Sequence, residues 1–262
     1  MFFNEKEKKI TNQFLKNGYV INKIENLKNF HKIQETFIKF VSKYDNDISN
    51  KNIEKKLNNF HHKLDVKNLN KFRLDLYNTI NNKNNFKYNY YSLAEKMLST
   101  LVGNELAIQT RVNLSIQFPN DESSILPIHS DVWSGDSPFE VVLWVPLVNC
   151  YKTKTMFLLP PSKKEKLNNI LKNNTVMTSE ELFKKVKKYL IWIEIKSGEY
   201  MIFNQTLPHG NVKNTEKETR WSMNCRFKSL FSPYGDKKIG EFFEPLTIRA
   251  ASQIGINYNQ LV

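Results

Sequence analysis

The sequence predicts an α+β fold: a mainly helical part over residues 1–105, then a core of short strands over residues 106–235. Apolar residues recur at helical spacing through the first part, and from residue 106 the period drops to two. A helical pattern over residues 162–190 interrupts the strands and reads as an insertion. Many short strands separated by turns suit a sandwich or a jelly roll.

The first clear helix starts at Leu27 and keeps Phe30, Ile33, Phe37 and Phe40 on one face. A second candidate covers Leu57 to Leu64, and a third runs from Lys67 through Phe72, Leu76 and Ile80. The run Asn81-Asn82-Lys83-Asn84-Asn85 reads as a loop. Helical spacing resumes from Tyr91 to Leu101 through Leu93, Met97 and Leu98. His31, His61 and His62 each have a carboxylate within one turn (Glu35 or Asp65), which reads as ordinary pairing on a helix surface.

In Arg111–Phe118 every even position is apolar, while Arg111, Asn113, Ser115 and Gln117 are polar. This is a strand with two unlike faces, the polar one facing either solvent or a polar pocket. Pro119–Ser124 is a turn. Phe139–Val148 is almost continuously apolar and reads as a buried strand. Thr155–Leu159 is a short strand stopped by Pro160-Pro161. In the insertion, Thr178 stands three residues before Glu181, a capping-box signature, and Leu182, Phe183, Val186 and Leu190 follow at helical spacing. Strands return at Ile191–Ile195, Tyr200–Phe203 and Arg220–Phe227. The tail, residues 236–262, has no strong period and is expected to pack on the core or on a partner.

A chain of 262 residues can bury a core without disulfides, and two cysteines, Cys150 and Cys225, make no disulfide framework. The start, Met1-Phe2-Phe3-Asn4-Glu5-Lys6, lacks the layout of a secretory leader, and no apolar stretch approaches membrane-spanning length. The expectation is a soluble, cytoplasmic protein. The net charge of +13 comes from lysine spread through an Asn- and Ile-rich chain, so it points only weakly to nucleic acid. An anionic small substrate fits the same excess.

The chemistry centres on Leu126-Pro127-Ile128-His129-Ser130-Asp131. In an extended segment, residues i and i+2 share a face, so His129 and Asp131 could aim an imidazole and a carboxylate at one point. His209 stands shortly after the apolar run Tyr200–Phe203. Two histidines and one carboxylate, with other coordination positions open, make the facial triad of non-haem Fe(II) oxygenases. Arg220-Trp221-Ser222 follows in the next predicted strand.

With these motifs the chain resembles the Fe(II)/2-oxoglutarate-dependent oxygenases of the double-stranded β-helix (jelly-roll, cupin-like) fold. It looks closest to their phytanoyl-CoA-dioxygenase-like branch, within the subgroup of bacterial carbohydrate-biosynthesis clusters. The resemblance covers residues 106–235 and is carried further by His129–Pro138 and Leu143-Trp144-Val145-Pro146-Leu147. It implies His129, Asp131 and His209 as iron ligands and Arg220 as the cation that grips the distal carboxylate of 2-oxoglutarate. Ser222 shares the face of Arg220 and can donate a further hydrogen bond. Asn224 and Arg226 lie on that face too, and Arg226 is assigned to the cosubstrate alongside the alternatives of substrate binding or an ion pair. The cofactors implied are Fe(II), 2-oxoglutarate and O2, and the reaction is oxidation of a small, sugar-derived substrate, anionic or nucleotide-linked. Trp133 and Asp136 are candidates for a substrate-facing lip, against the reading of a Gly-Asp-Ser-Pro turn with Trp133 as core filler. Asn113 and Gln117 are candidates for lining the pocket.

Two other readings compete. A nucleic-acid dealkylase of the same fold shares the Arg220/Arg226 spacing, but the N-terminal part shows no base-stacking platform. A non-catalytic β-sandwich binding module would leave the histidines without iron.

Overall fold

The computed structural model describes residues 4–44, 52–173 and 176–258. Residues 1–3, 45–51, 174–175 and 259–262 lie outside the described residues.

The N-terminal part is mostly helical but opens with elements the apolar pattern does not reveal. Helix α1 (Glu5–Asn17) carries a capping box between Asn4 and Glu7 and ends at Gly18, whose φ of 77° suits glycine. Strand β1 (Tyr19–Lys23) follows directly. Helix α2 (Leu27–Val41) buries Phe30, Ile33, Phe37 and Phe40, as the spacing predicts. The predicted helix over 57–64 is instead α3 (Ile53–Asn58) and a 3-10 turn at Phe60–His62. There His61 meets the Thr219 hydroxyl at 3.0 Å rather than Asp65. Asp65 caps α4 (Val66–Asn81), accepting from the Lys67 amide, and α4 buries Leu69, Phe72, Leu76 and Ile80. The helix predicted over Tyr91–Leu101 is α6 (Glu95–Val102), and a further short helix, α5 (Phe86–Tyr91), precedes it.

Strands β2 (Leu106–Gln109), β3 (Asn113–Gln117) and β4 (Glu140–Pro146) come next, followed by the two-residue β5 (Phe157–Leu158). Helices α7 (Lys164–Lys172) and α8 (Ser179–Val186) form the insertion, and the Thr178–Glu181 capping box is present. Then come β6 (Ile191–Trp192), β7 (Glu199–Asn204), β8 (His209–Gly210) and β9 (Arg220–Ser229). The tail adds β10 (Phe243–Thr247) and α9 (Ala250–Ile256).

The strands form two antiparallel sheets. The larger has the order β1-β7-β4-β9-β2-β10, with β3 also paired to β9; the smaller has the order β6-β5-β8. The strands that end this order, β1 and β10, therefore come from outside residues 106–235. Strand β9 alternates strictly. Trp221, Met223, Cys225 and Phe227 are fully buried on one face, and the other presents Arg220, Ser222, Asn224 and Arg226. The helical part covers the apolar face: Trp221 packs against Phe37, Phe60 and Phe72, and its indole N–H donates to Leu57 O at 2.8 Å. Tyr90 donates its hydroxyl to Leu143 O at 2.7 Å. The insertion packs Leu167, Leu182 and Val186 around Phe157 and Ile128, so it backs the small sheet. Among the described residues, no helix is long and apolar enough to cross a membrane.

Candidate metal centre

The site lies between the polar face of β9 and the small sheet. His129 lies outside the strands proper but pairs with His209 through two backbone hydrogen bonds, His129 N–H to His209 O at 3.0 Å and the reverse at 2.8 Å. Ser130 is extended (φ −120°, ψ 134°), so His129 and Asp131 share a face although Asp131 already opens a 3-10 turn. The buried Ser130 hydroxyl donates to Gln205 O at 3.1 Å, tying the segment to the end of β7.

The ligand atoms of His129, Asp131 and His209 lie within 4.8 Å of one another, the one such group among the described residues. His129 Nε2 is 3.6 Å from Asp131 Oδ1, and His209 Nε2 is 3.9 Å from Asp131 Oδ2. Each imidazole is oriented through its other nitrogen: His129 Nδ1 meets Pro127 O at 2.8 Å, and His209 Nδ1 meets Leu207 O at 2.9 Å. An Nδ1–H donated to a carbonyl leaves the Nε2 lone pair free, which is the tautomer a metal needs.

The electrostatics agree with that role. Burial alone would raise the Asp131 carboxyl, but the His129 hydrogen bond and the neighbouring His209 and Arg226 hold it well below the usual carboxylate range. Burial pushes His209 down to about 4, so it is neutral at pH 7. For His129 burial is outweighed by Asp131 and Pro127 O, and its pKa rises.

These side chains line a cavity of about 560 Å³ together with Arg220, Ser222, Asn224 and Arg226. Arg220 is fully inside the protein. Its Nη1 donates to Thr155 O at 3.0 Å and its Nη2 to Ser115 Oγ at 2.8 Å, while Nε has no hydrogen-bond partner. Burial pushes its pKa down to about 10, which still leaves a cation at pH 7. No carboxylate pairs with it among the described residues. A buried, unpaired guanidinium is costly, so this end of the cavity is built for an anion.

The other candidates divide. Asn113 lines the cavity and donates to Asn224 Oδ1 at 2.9 Å across β3 and β9. The polar row of β3 thus faces the cavity at Asn113 and Ser115. Gln117 does not: it is fully buried beyond the cavity wall, its amide donating to Val212 O at 2.8 Å. Trp133 is 49% exposed in the 3-10 turn that Asp131 opens and is not among the cavity-lining side chains, so it is no core filler. Asp136 is buried away from the cavity and pairs with Arg226 and Lys237. Arg226 is itself committed to an ion pair with Asp131 at 2.9 Å.

Other cavity residues carry no signal in the sequence. Arg73 and Tyr77 reach the wall from α4, with Arg73 paired to Asp121 at 2.8 Å. Gln205, fully buried outside the cavity lining, donates to both Ser137 O and Glu140 Oε2 at 2.8 Å and so braces the ligand loop.

No protein-family model and no curated protein matches the chain. Solved structures do match. ThoJ, a non-haem monooxygenase in complex with nickel, aligns with a TM-score of 0.55 and 11% identity over 93% of this chain and 85% of that one. EctD from S. alaskensis, solved with 2-oxoglutarate and 5-hydroxyectoine, gives 0.54 and 14% over 89% and 80%. HygX from Streptomyces hygroscopicus, with nickel and 2-oxoglutarate bound, gives 0.52 and 10% over 90% of each chain. At these identities the likeness is one of fold. The chain therefore has a fold used by non-haem oxygenases, and its cavity holds two histidines and a carboxylate in the arrangement of their facial triad.

Proposed function

We propose that the protein is an Fe(II)- and 2-oxoglutarate-dependent oxygenase acting on a small molecule. One observation carries this reading: His129, Asp131 and His209 converge, each imidazole oriented through Nδ1 by a backbone carbonyl, on a cavity that also receives the buried Arg220 with its unpartnered Nε. The donor set suits Fe(II), which takes imidazole and carboxylate together. When bound, iron and 2-oxoglutarate supply the oxidising chemistry with O2.

The chain's own residues bind, orient and shield. His129, Asp131 and His209 hold the metal. Arg220 grips the distal carboxylate of 2-oxoglutarate, with Ser222 and Ser115 as hydroxyl neighbours on the paired strands. Val142, Trp144, Met156 and Phe203 make the cavity wall partly apolar and limit water. Arg226 keeps Asp131 ionised and oriented rather than contacting the cosubstrate.

We read the two sheets as a double-stranded β-helix with residues 106–235 as its core, the helices before it and the tail after it. Antiparallel pairing within both sheets, and a site held between the small sheet at His209 and the polar face of β9 on the large one, support this. The sequence resemblance of His129–Pro138 supports the phytanoyl-CoA-dioxygenase-like branch and a sugar-derived substrate, and the low cysteine count supports a cytoplasmic site.

Anaerobic Fe(II) plus 2-oxoglutarate should give a weak visible charge-transfer band, and succinate should form once O2 and a substrate are present. Sugar nucleotides, sugar phosphates and free glycosides form the first substrate panel. A protein that binds neither iron nor 2-oxoglutarate would be a binding module instead.

A further inference from the structure

Opposite charges alternate outward from the metal centre. Arg226 Nη2 donates to Asp131 Oδ1 at 2.9 Å. Arg226 Nε lies 3.3 Å from Asp136 Oδ1, an ion-pair contact whose geometry falls short of a hydrogen bond. Lys237 Nζ closes the series on Asp136 Oδ2 at 2.5 Å. The ring of Phe242 lies against both cations, 5.7 Å from the Arg226 guanidinium and 4.8 Å from Lys237 Nζ.

The backbone interlocks at the same place. Asp236 N–H donates to Gly135 O at 2.9 Å, and the Ser137 hydroxyl donates to Pro233 O at 2.6 Å. A Cβ on Gly235 would come within 2.3 Å of Gly135 O, so only glycine lets the two segments approach this closely.

We propose that Asp136 and Lys237 are positioning residues for the metal, through which the C-terminal segment holds Arg226 against Asp131. This rests on the reading of His129, Asp131 and His209 as metal ligands. Arg226 occupies Oδ1 and biases Asp131 toward offering Oδ2 on the His209 side. A lone guanidinium beside a metal-binding carboxylate would oppose a dication. Gln205 Oε1 and Gln109 Oε1 accept from Arg226 Nε and Nη1 at 3.2 and 3.4 Å, Asp136 offsets the guanidinium charge, and Lys237 in turn neutralises Asp136.

The test is Co(II) titration of the full-length, metal-free protein, read as a dissociation constant and as the visible d–d spectrum. Asp136→Asn should weaken Co(II) binding roughly 10- to 100-fold and alter the spectrum. Asp136→Glu should restore part of both, and Lys237→Met should weaken binding by a smaller factor. Asp136→Asn with wild-type affinity and spectrum overturns the proposal. If circular dichroism shows that Asp136→Asn does not fold, Lys237→Met decides, and its binding Co(II) like the wild type overturns it. Wild-type protein that binds no Co(II) instead sinks the metal-site reading on which the proposal stands.

Discussion

His129 and His209, eighty residues apart, exchange backbone hydrogen bonds in both directions, and their rings lie 4.4 Å apart between centroids. The two imidazoles are thus placed by main-chain pairing rather than by side-chain packing alone. Gly210, next to His209, faces the carbonyls of Leu126 and Pro127, where a Cβ would come within 2.7 Å and 3.0 Å. Because the obstructing atoms are backbone, Gly210→Ala must push the His129 segment away. The expected cost is about 1–3 kcal/mol in stability, together with lost metal affinity, measured by denaturation and Co(II) titration. An alanine variant that keeps wild-type metal affinity would show that the pairing does not set the ligand geometry.

Arg220 allows two opposite effects to be measured in one residue. Arg220→Lys keeps a charge but loses the fork, so the affinity for 2-oxoglutarate should fall by roughly ten- to a hundred-fold, about 1.5–3 kcal/mol, with metal binding intact. Arg220→Met should abolish 2-oxoglutarate binding, yet raise the melting temperature of the ligand-free protein by removing a buried unpaired cation. A lower melting temperature for Arg220→Met would mean that the bonds to Thr155 and Ser115 outweigh the burial penalty.

Trp221 joins the helical part to the sheet. Trp221→Phe keeps most of the ring packing but leaves Leu57 O without its donor in a buried place. The expected loss is about 1–3 kcal/mol, read from chemical denaturation, with little change in metal affinity. Equal losses of stability and metal affinity would show that this clasp also shapes the site.

Lys228 supplies a pH signature. It is fully buried, donates to Ser232 O and Pro233 O, and lies opposite Glu140 in the sheet. Burial pushes its pKa down to about 8 from an ordinary 10.5. Between these values the unfolded chain binds more protons than the folded one, so this contribution to stability rises with pH and is lost as pH falls through 8. Lys228→Met should flatten that rise in a stability–pH comparison with the wild type. Parallel curves would place the Lys228 pKa near its ordinary value.

The chemistry of this chain is local in sequence, and that is why it is legible there. His129 and Asp131 share a face because Ser130 is extended, and Arg220, Ser222 and Asn224 share one because β9 alternates. Long-range partners leave no such trace. Nothing in the loop around Asp136 signals Lys237, 101 positions on, so an apparent substrate-facing carboxylate turns out to be an ion-pair member. Gln117 sits in the right alternation but lies beyond the end of the cavity, which no periodicity reports. Strand β10 contains Pro245, a residue that argues against a central strand and is tolerated here because β10 is an edge. Strand β1 lacks a clean alternation for the same positional reason, pairing on one side only.

Those two strands also decide how the molecule tolerates trimming. β1 covers β7, and β10 covers β2, so these two strands of the core are bordered by segments outside residues 106–235. Cutting the protein back to residues 106–235 would keep the proposed iron ligands and the cosubstrate arginine but remove Lys237. It would also bare two rows of unsatisfied backbone donors and acceptors, ready to zip onto a neighbouring copy. The smallest fragment that carries the metal ligands is therefore not one whose sheet edges are all covered.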